Sequence, residues 1–238
     1  MRSVLLHSSS LFAAHMIFFW GAVLACDRRD GVPLYRTAGA LARVLRNQFC
    51  VILPCLVMQE VAWKHGALPT EHGALEDSAR LALALLVGEL LVYALHRAAH
   101  AVPAVYKHVH SMHHQRAYSA ASALSSDWRE VLLLNELAIY APFVMLGLPP
   151  PLVRASELLG TLMAVATHAQ GPLARSLHLN HHLLFNCNYS TWGLADWALG
   201  TYVAFDESAQ REKKKKVIDV AALRASMRAG KAYHMHAD

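Results

Sequence analysis

Residues 81–100 have the sequence LALALLVGELLVYALHRAAH, an apolar run that ends in two histidines four positions apart. The run is rich in leucine and alanine and lacks the period-two alternation of a strand, so it predicts a helix. Its apolar part is near the length that a helix needs to cross the hydrocarbon layer. If the helix continues past the membrane edge, His96 and His100 share one face and can converge on one metal ion. The stretch predicts a membrane helix with metal ligands at its end.

The rest of the chain has the composition of a membrane protein. Of its 238 residues 55% are hydrophobic and only 16% are charged, and the mean hydropathy is +0.26, which is too apolar for an ordinary soluble enzyme. Five apolar segments are helical candidates: 4–25, 48–63, 79–95, 131–148 and 152–167. We therefore expect an all-α, polytopic membrane helical bundle with about four to five membrane segments. Short segments that carry Glu89, Glu136 or Glu157 could instead pack as buried hairpins.

Basic residues indicate how the chain is oriented. The net charge is +5, and the positive residues gather between Arg28 and Arg46 and in the run Lys213 to Lys216. This distribution suits a cytoplasmic membrane surface better than a nucleic-acid groove, and we expect no nucleic-acid partner. By the positive-inside rule the loop after the first segment is cytoplasmic, and the alternation of the later segments then places residues 96–130 and 168–238 on the same side. All the histidine clusters are thereby predicted to face the cytosol.

The cysteines and the N-terminal segment exclude other classes. Four cysteines without CxxC spacing, three of them in or beside apolar stretches, argue against a disulfide framework or a zinc ribbon. The apolar run Leu11 to Cys26 could belong to a signal peptide. Its bulky residues Phe18, Phe19 and Trp20 and the lack of a clean cleavage site favour a first membrane anchor instead.

Ten of the sixteen histidines lie between positions 96 and 182, and this clustering carries the functional argument. HxxxH and two HxxHH motifs supply eight imidazoles, which is too many for one transition ion and fits two ions. We expect His168 to be a ninth ligand and His108 to have a surface or supporting role. The predicted metal ligands are His96, His100, His110, His113, His114, His168, His178, His181 and His182. Imidazole also suits zinc, copper and nickel, so the ligands alone do not choose the metal.

The order of these motifs resembles that of the fatty acid hydroxylase and sterol desaturase superfamily. HxxxH is followed by Tyr106-Lys107 and the first HxxHH, then by an apolar hairpin, a single histidine and the second HxxHH. The last motif continues into Asn188-Tyr189, Asp196 and Gly200-Thr201, which is similar to the family's closing pattern, although Ser190 replaces its glycine. The similarity covers roughly Leu81 to Tyr202.

The resemblance implies a cytosolic site with two iron ions that uses O2 and two electrons to hydroxylate or desaturate a lipid. A sterol, sphingolipid or fatty acyl substrate is compatible with it. Metal-bound histidines normally donate their second N–H to a supporting group, and Asn188, Asp196 and Glu89 are the candidates for that role. Asp127 and Glu130 are further candidates, but they could equally stabilise the start of a helix.

The family also implies a division of the chain and a set of partners. Residues 1–80 would form N-terminal membrane anchor segments, 81–205 the catalytic region and 206–238 a basic cytosolic tail. Electrons would come from a separate donor such as cytochrome b5 or a ferredoxin and its reductase, and the location would be the endoplasmic reticulum membrane if the source is eukaryotic. Two alternatives are a membrane metal-binding or transport protein and a catalytically inactive relative. Transport sites lie near the bilayer midplane, whereas these clusters follow the apolar segments.

Overall fold

Helices build the whole of the described structure. The computed structural model describes residues 2–32, 34–65, 72–114, 119–169 and 177–204, so the predicted basic tail with Lys213 to Lys216 lies outside the described residues. The α-helices are α1 (Arg2–Arg29), α2 (Leu34–Asn47), α3 (Leu53–Lys64), α4 (Ala74–Ala101), α5 (Pro103–Val105), α6 (Ser111–His114), α7 (Trp128–Glu130), α8 (Ala141–Met145), α9 (Pro150–His168), α10 (Leu177–Leu184) and α11 (Leu194–Ala198). Within these ranges there is no strand, and the predicted all-helical membrane bundle is confirmed.

Other helix types connect several of these elements. The π-helical segments are Gln48–Ile52, Tyr106–His110 and Val131–Tyr140, and Ala120–Leu124 is a 3-10 helix. Because Gln48–Ile52 joins α2 directly to α3, residues Thr37–Lys64 form one long helix. In the same way α7, the π-helix Val131–Tyr140 and α8 follow one another without a break.

Three helices are long and apolar enough to cross a membrane: Val4–Arg29, Thr37–Lys64 and Ala74–Ala101. The 28 residues of α4 extend over about 42 Å, which exceeds the hydrocarbon core of roughly 30 Å. In the most apolar 18-residue stretch of α1 only 22% of the residues are buried in the protein, and in that of α4 only 28% are. The remaining apolar side chains face outward, as lipid-facing side chains do.

The fourth and fifth apolar segments do not add two further long spans. Residues 128–145 and α9 form an antiparallel hairpin around Gly147 and Pro149, and neither arm meets the length and hydropathy of the three spans. The first half of α9 is polar because it carries Arg154 and Glu157. Arg154 forms an ion pair with Glu60. The structure thus has three candidate spans, and the two remaining apolar segments, which are not among them, keep exposed apolar side chains such as Leu133, Leu137 and Leu159.

Two glycines allow close packing of the hairpin. A Cβ at Gly88 of α4 would lie 3.3 Å from the carbonyl oxygen of Ala138, so α4 packs tightly against the π-helix. Gly160 of α9 faces the hydroxyl of Tyr140, and an added Cβ would overlap that oxygen. The absence of side chains at both positions brings the two arms and α4 together around a common interior.

Buried polar contacts join the ends of the helices on the side where α4 finishes. The carboxylate of Asp27 accepts hydrogen bonds from the Thr37 hydroxyl at 2.7 Å and from the Ala120 N–H at 2.9 Å. The buried amide of Asn47 donates to the carbonyls of Leu124 and Ser126. These bonds fix the 3-10 helix against α1 and α2. The same end of the bundle therefore holds the chain that follows the histidines of α6.

Candidate metal centre

Four parts of the chain deliver the nine predicted ligands to one place. The C-terminal part of α4 carries two of them, and the π-helix Tyr106–His110 together with α6 carries three. The end of α9 carries one, and α10 carries three. Pro103 cannot continue α4, and Val102 before it is extended, so the chain turns back and brings the second motif over the first. The nine imidazoles fall into two groups, one of five and one of four.

The first group combines all three motifs: His96, His100, His110, His114 and His181. Its nitrogens converge through Nε2. The distance between the Nε2 atoms of His96 and His110 is 3.1 Å, that between His110 and His100 is 2.9 Å, and that between His181 and His114 is 3.2 Å.

The second group consists of His113, His168, His178 and His182. Here too the Nε2 atoms meet, at 3.2 Å between His113 and His178, 2.9 Å between His178 and His168, and 3.0 Å between His182 and His178. The isolated histidine at the end of α9 thus lies with the HxxHH motifs. His108 is exposed and belongs to neither group.

Backbone carbonyls fix the tautomer of three of the histidines. Nδ1 of His96 lies 2.6 Å from the carbonyl oxygen of Tyr189, and Nδ1 of His181 lies 2.7 Å from that of Cys187. A carbonyl only accepts, so Nδ1 carries the proton and Nε2 of each neutral ring presents a lone pair. The same holds for His168, whose Nδ1 donates to Ala164 at 2.8 Å. A cation between the rings would be the natural partner for these lone pairs.

The spacing also fits a shared metal ion. Two nitrogens held at 2.0–2.1 Å from one ion lie about 2.9 Å apart at right angles and about 3.3 Å apart in a tetrahedron. The shortest contacts in both groups, from 2.9 to 3.2 Å, fall in this range. Each group therefore offers a nitrogen-only site that could hold one transition ion.

Burial keeps the imidazoles neutral, as metal binding requires. It lowers the pKa of His114 to about 3, with the neighbouring His100 and His96 adding to the effect. The pKa values of His113, His178, His181 and His182 also lie well below their usual range, first because the rings are buried and then because they crowd one another.

The carboxyl group of Glu130 lies against two of the histidine rings. Its Oε2 lies 3.2 Å from Nδ1 of His110 and its Oε1 lies 3.4 Å from Nδ1 of His113. Burial raises the pKa of this carboxyl well above its usual range, with Asp127 adding to the shift. Asp127 itself caps the helix, because its side chain accepts from the N–H of Arg129. The two acidic residues that the sequence treated together have different roles.

The three residues predicted to support the histidines act on the backbone instead. Glu89 accepts from the N–H groups of Trp192 at 2.9 Å and Leu194 at 2.8 Å, and it thus anchors the start of α11 to α4. The Asn188 side chain exchanges two hydrogen bonds with the backbone of Val203.

Asp196 binds the same loop, and it is fully buried. Its carboxylate accepts from the N–H of Tyr189 at 2.8 Å, from the N–H and hydroxyl of Ser190, and from the hydroxyl of Thr201 at 2.6 Å. Burial alone would raise the pKa of Asp196, but these hydrogen bonds lower it overall. The three predicted residues therefore reach the metal groups indirectly, by holding the loop whose Tyr189 and Cys187 carbonyls orient His96 and His181.

Comparison with known proteins decides the family. Residues 81–201 match the family model described as fatty acid hydroxylase, which is half of the chain and includes both histidine groups. The chain belongs to the fatty acid hydroxylase family. The resemblance inferred from the histidine motifs is confirmed.

Curated relatives of this hydroxylase-family chain are distant. It is 29% identical over 211 residues to fatty acid hydroxylase domain-containing protein 2 of Macaca fascicularis, covering 84% of this chain and 62% of that protein. It is also 29% identical over 147 residues to the very-long-chain aldehyde decarbonylase GL1-11 of Oryza sativa subsp. indica, covering 59% of this chain and 50% of that one. The chain thus spans between half and about three-fifths of the length of these relatives. No solved structure matches it.

A cavity of about 690 Å³ connects the histidines of the family site with the interior of the bundle. His96, His110, His113, His168 and His178 line one part of it. Apolar side chains of α1, α3, α4 and α9 line most of the rest, and the volume lies within the range of small-molecule sites. A ligand in this cavity would contact histidines of both groups.

Sequence reasoning named Glu130 as a candidate for supporting the histidines but left helix stabilisation equally open, and it missed the Tyr189 and Cys187 carbonyls. Glu130 stands out in the sequence because it is an acidic residue at the start of an otherwise apolar helix. An acidic residue at that position equally fits stabilisation of the helix N-terminus. Backbone carbonyls leave no signal in the side-chain pattern. The positive φ angles of Phe185 and Asn188, at 71° and 54°, show how sharply the loop must turn to place them.

Proposed function

We propose that this protein is a membrane-bound di-iron oxygenase that uses O2 and two externally supplied electrons to hydroxylate or desaturate a lipid. The observation that carries the proposal is the pair of histidine groups at one end of a mostly apolar cavity inside a membrane bundle. Family membership supports the same chemistry. Oxidation of an unactivated C–H bond needs redox metals and an apolar substrate held beside them, and the arrangement suits both.

The first group would hold one iron and the second group the other. Bound iron supplies the redox chemistry that activates O2, which no side chain can provide alone. The protein orients the rings through the Tyr189, Cys187 and Ala164 carbonyls and through Glu130. The mostly apolar lining of the cavity would favour an apolar substrate beside the ions.

The fold supports a cytosolic position for the centre. Arg43 donates to the Ser125 hydroxyl at 3.1 Å and Arg46 donates to the Ser126 carbonyl, so the arginine-rich loop lies at the end of the bundle where α4 delivers its histidines. By the positive-inside rule that end faces the cytosol. We propose that a separate donor, cytochrome b5 or a ferredoxin with its reductase, delivers electrons there, in the endoplasmic reticulum membrane if the source is eukaryotic.

A second candidate reaction comes from the rice relative, whose name assigns it the decarbonylation of very-long-chain aldehydes. An identity of 29% over half of that protein does not distinguish decarbonylation from hydroxylation or desaturation. Long-chain aldehydes therefore belong in the substrate panel beside sterols, sphingolipids and fatty acyl chains. Metal transport is a weaker candidate, since both groups lie at the ends of helices and not at their midpoints.

The test uses the full chain in lipid nanodiscs. Metal content is measured after reconstitution with ferrous iron, and O2 consumption and lipid products are followed with a reductase system. We expect two ions per chain and O2-dependent lipid oxidation that His113→Ala with His181→Ala abolishes. His108→Ala is the matched control, because His108 lies outside both groups. Full activity in the double variant, or fewer than one ion per chain in the unchanged protein, would refute the proposal.

A further inference from the structure

The cavity that reaches the histidines is walled by packed helices on most of its sides. The π-helix Val131–Tyr140 packs against α4 and against the π-helix Gln48–Ile52, which continues into α3. The next helices of the wall also pack in pairs, α3 against α1 and α1 against α9. Among the described helices, α4 and α9 are the two that would close this ring, and they have no extended contact with each other. The wall of the cavity is therefore open between α4 and α9.

The gap between the two helices is bridged at both ends. Towards the hairpin tip, Ala84 of α4 shares a buried cluster with Leu148 and Val153. At the histidine end, α10 packs against α9 and α11 packs against α4. The loop between α10 and α11 is held on α4 because the Glu89 carboxylate accepts from the N–H of Trp192 at 2.9 Å. The opening thus lies along the middle of α4 and the second half of α9.

The exposure of the lining residues marks the same opening. Five of the described lining residues are exposed, and all five lie on α4, on α9 or on the loop between α10 and α11: Leu85, Leu159, Met163, Thr191 and Trp192. No described lining residue of α1, α3 or the π-helix Val131–Tyr140 is exposed. Leu85 and Met163 are each 41% exposed, and Trp192 is 56% exposed. These side chains border both the cavity and the outside, so they frame the opening.

The opening lies at the depth of lipid chains. Leu85 precedes His96 by eleven residues and Met163 precedes His168 by five, so they lie about 16 and 8 Å along their helices from the histidines. Leu85 belongs to the membrane span Ala74–Ala101, and the neighbouring Leu86 is exposed as well. The outer surface around the opening is thus continuous with the lipid-facing side of α4, where hydrocarbon and not water covers it.

We propose that a chain of a bilayer lipid enters the cavity sideways through this opening, between Leu85 of α4 and Met163 of α9. This inference rests on the proposed function and names the route by which its substrate arrives. The five framing residues carry no charge, so a charged headgroup would lose its hydration there without a partner, and the apolar chain enters first. From Met163 the histidines lie in one direction, and the cavity continues in the other to Ser156 and Glu157, eleven residues before His168. A chain that enters at this point has room on both sides.

The route is tested by the time that a chain takes to reach the cavity. Hexadecan-1-ol with a mid-chain diazirine is transferred from vesicles to phosphatidylcholine nanodiscs that hold the metal-loaded full-length protein, without reductant. Irradiation at intervals and mass spectrometry follow the labelling of Phe19 and Ile52, which are buried lining residues, and of Leu86 and Leu90, which are exposed and do not line the cavity. Labelling of the outer pair reports arrival in the bilayer. The additional delay at the inner pair reports entry.

Variants at the frame assign the delay to this opening. Leu85→Trp with Met163→Trp narrows the opening and should lengthen the delay severalfold while outer labelling is unchanged. The milder Leu85→Phe with Met163→Phe should lengthen it less, and it keeps the test decisive if the tryptophan pair does not fold. Leu86→Trp is the matched control and should leave the delay as it is, because Leu86 is exposed but does not line the cavity.

Two outcomes would overturn the inference. One is an unchanged delay in both double variants, which is the result expected if the chain enters from the cytosol at the histidine end. The other is the absence of inner labelling in the unchanged protein.

The labelling test and the oxidation test fail separately, since labelling needs no turnover. If the frame variants delay entry but no lipid is oxidised, the inference stands and the proposed function fails. If a lipid is oxidised and the frame variants delay nothing, the function stands and the inference fails.

Discussion

Oε2 of Glu130 lies 3.2 Å from Nδ1 of His110, and the second oxygen of the same carboxyl lies 3.4 Å from Nδ1 of His113. His110 belongs to the five-membered group and His113 to the four-membered group. One buried carboxyl thus faces a ligand of each proposed metal ion. A group in that position can orient both rings and raise their basicity towards metal.

Glu130→Gln should therefore weaken metal binding in both groups. The amide keeps the shape but has only one oxygen, so it can accept from only one of the two rings, and loss of such a supporting group typically lowers metal affinity about 10- to 100-fold. Competition with a chelator, followed by metal analysis, measures the two affinities. Glu157→Gln is the matched control, since Glu157 lies at the far end of the cavity. Weakened binding of only one ion would show that Glu130 does not serve both groups.

His181 and His182 are neighbours in the chain but belong to different groups. His181→Ala should remove a ligand from the group of five and His182→Ala one from the group of four. The group of four has no spare ligand for a tetrahedral ion, so we expect His182→Ala to lose about one ion per chain and His181→Ala to retain more metal. Metal stoichiometry after gel filtration distinguishes them, with His108→Ala as the control. Equal loss of both ions in the two variants would contradict this partition.

Much of the centre could be predicted from the sequence, because histidines at i, i+3 and i+4 on a helix form recognisable motifs. The division into two groups could not. His113 and His114 are adjacent, yet they belong to different groups, and only the contacts of their rings with the histidines of α4 and α10 decide which. The hairpin was equally ambiguous, since apolar composition does not tell a lipid-facing helix from a buried one. The roles of Glu89, Asn188 and Asp196 depend on a loop whose turns have no periodic pattern.

Asp196→Asn should destabilise the loop that follows α10. The buried carboxylate accepts from four donors on three residues, and we expect a loss of about 3 kcal/mol in the free energy of unfolding, since hydrogen bonds to charged groups contribute roughly 1.5–3 kcal/mol each. The pKa of Asp196 is lowered in the folded protein, so its contribution is present above the usual pKa of the carboxyl and disappears as the pH falls through the folded value.

Thermal unfolding as a function of pH measures this effect. The unchanged protein should lose stability on acidification more steeply than Asp196→Asn, and the two curves should approach each other at low pH. Parallel curves would mean that the Asp196 charge does not stabilise the loop.

Gly160→Ala should destabilise the hairpin through a clash with Tyr140, since the added methyl would overlap the Tyr140 hydroxyl. Overpacking of this kind costs about 1–3 kcal/mol, which thermal unfolding can resolve. Tyr140→Phe removes the hydroxyl, so the double variant should recover most of the loss. Gly21→Ala in α1 is the control, because nothing lies within 4 Å of a Cβ there, and it should be neutral or slightly stabilising. If Tyr140→Phe restores no stability, the loss caused by Gly160→Ala does not come from the hydroxyl. The close approach of the two arms would then not be the reason that residue 160 is a glycine.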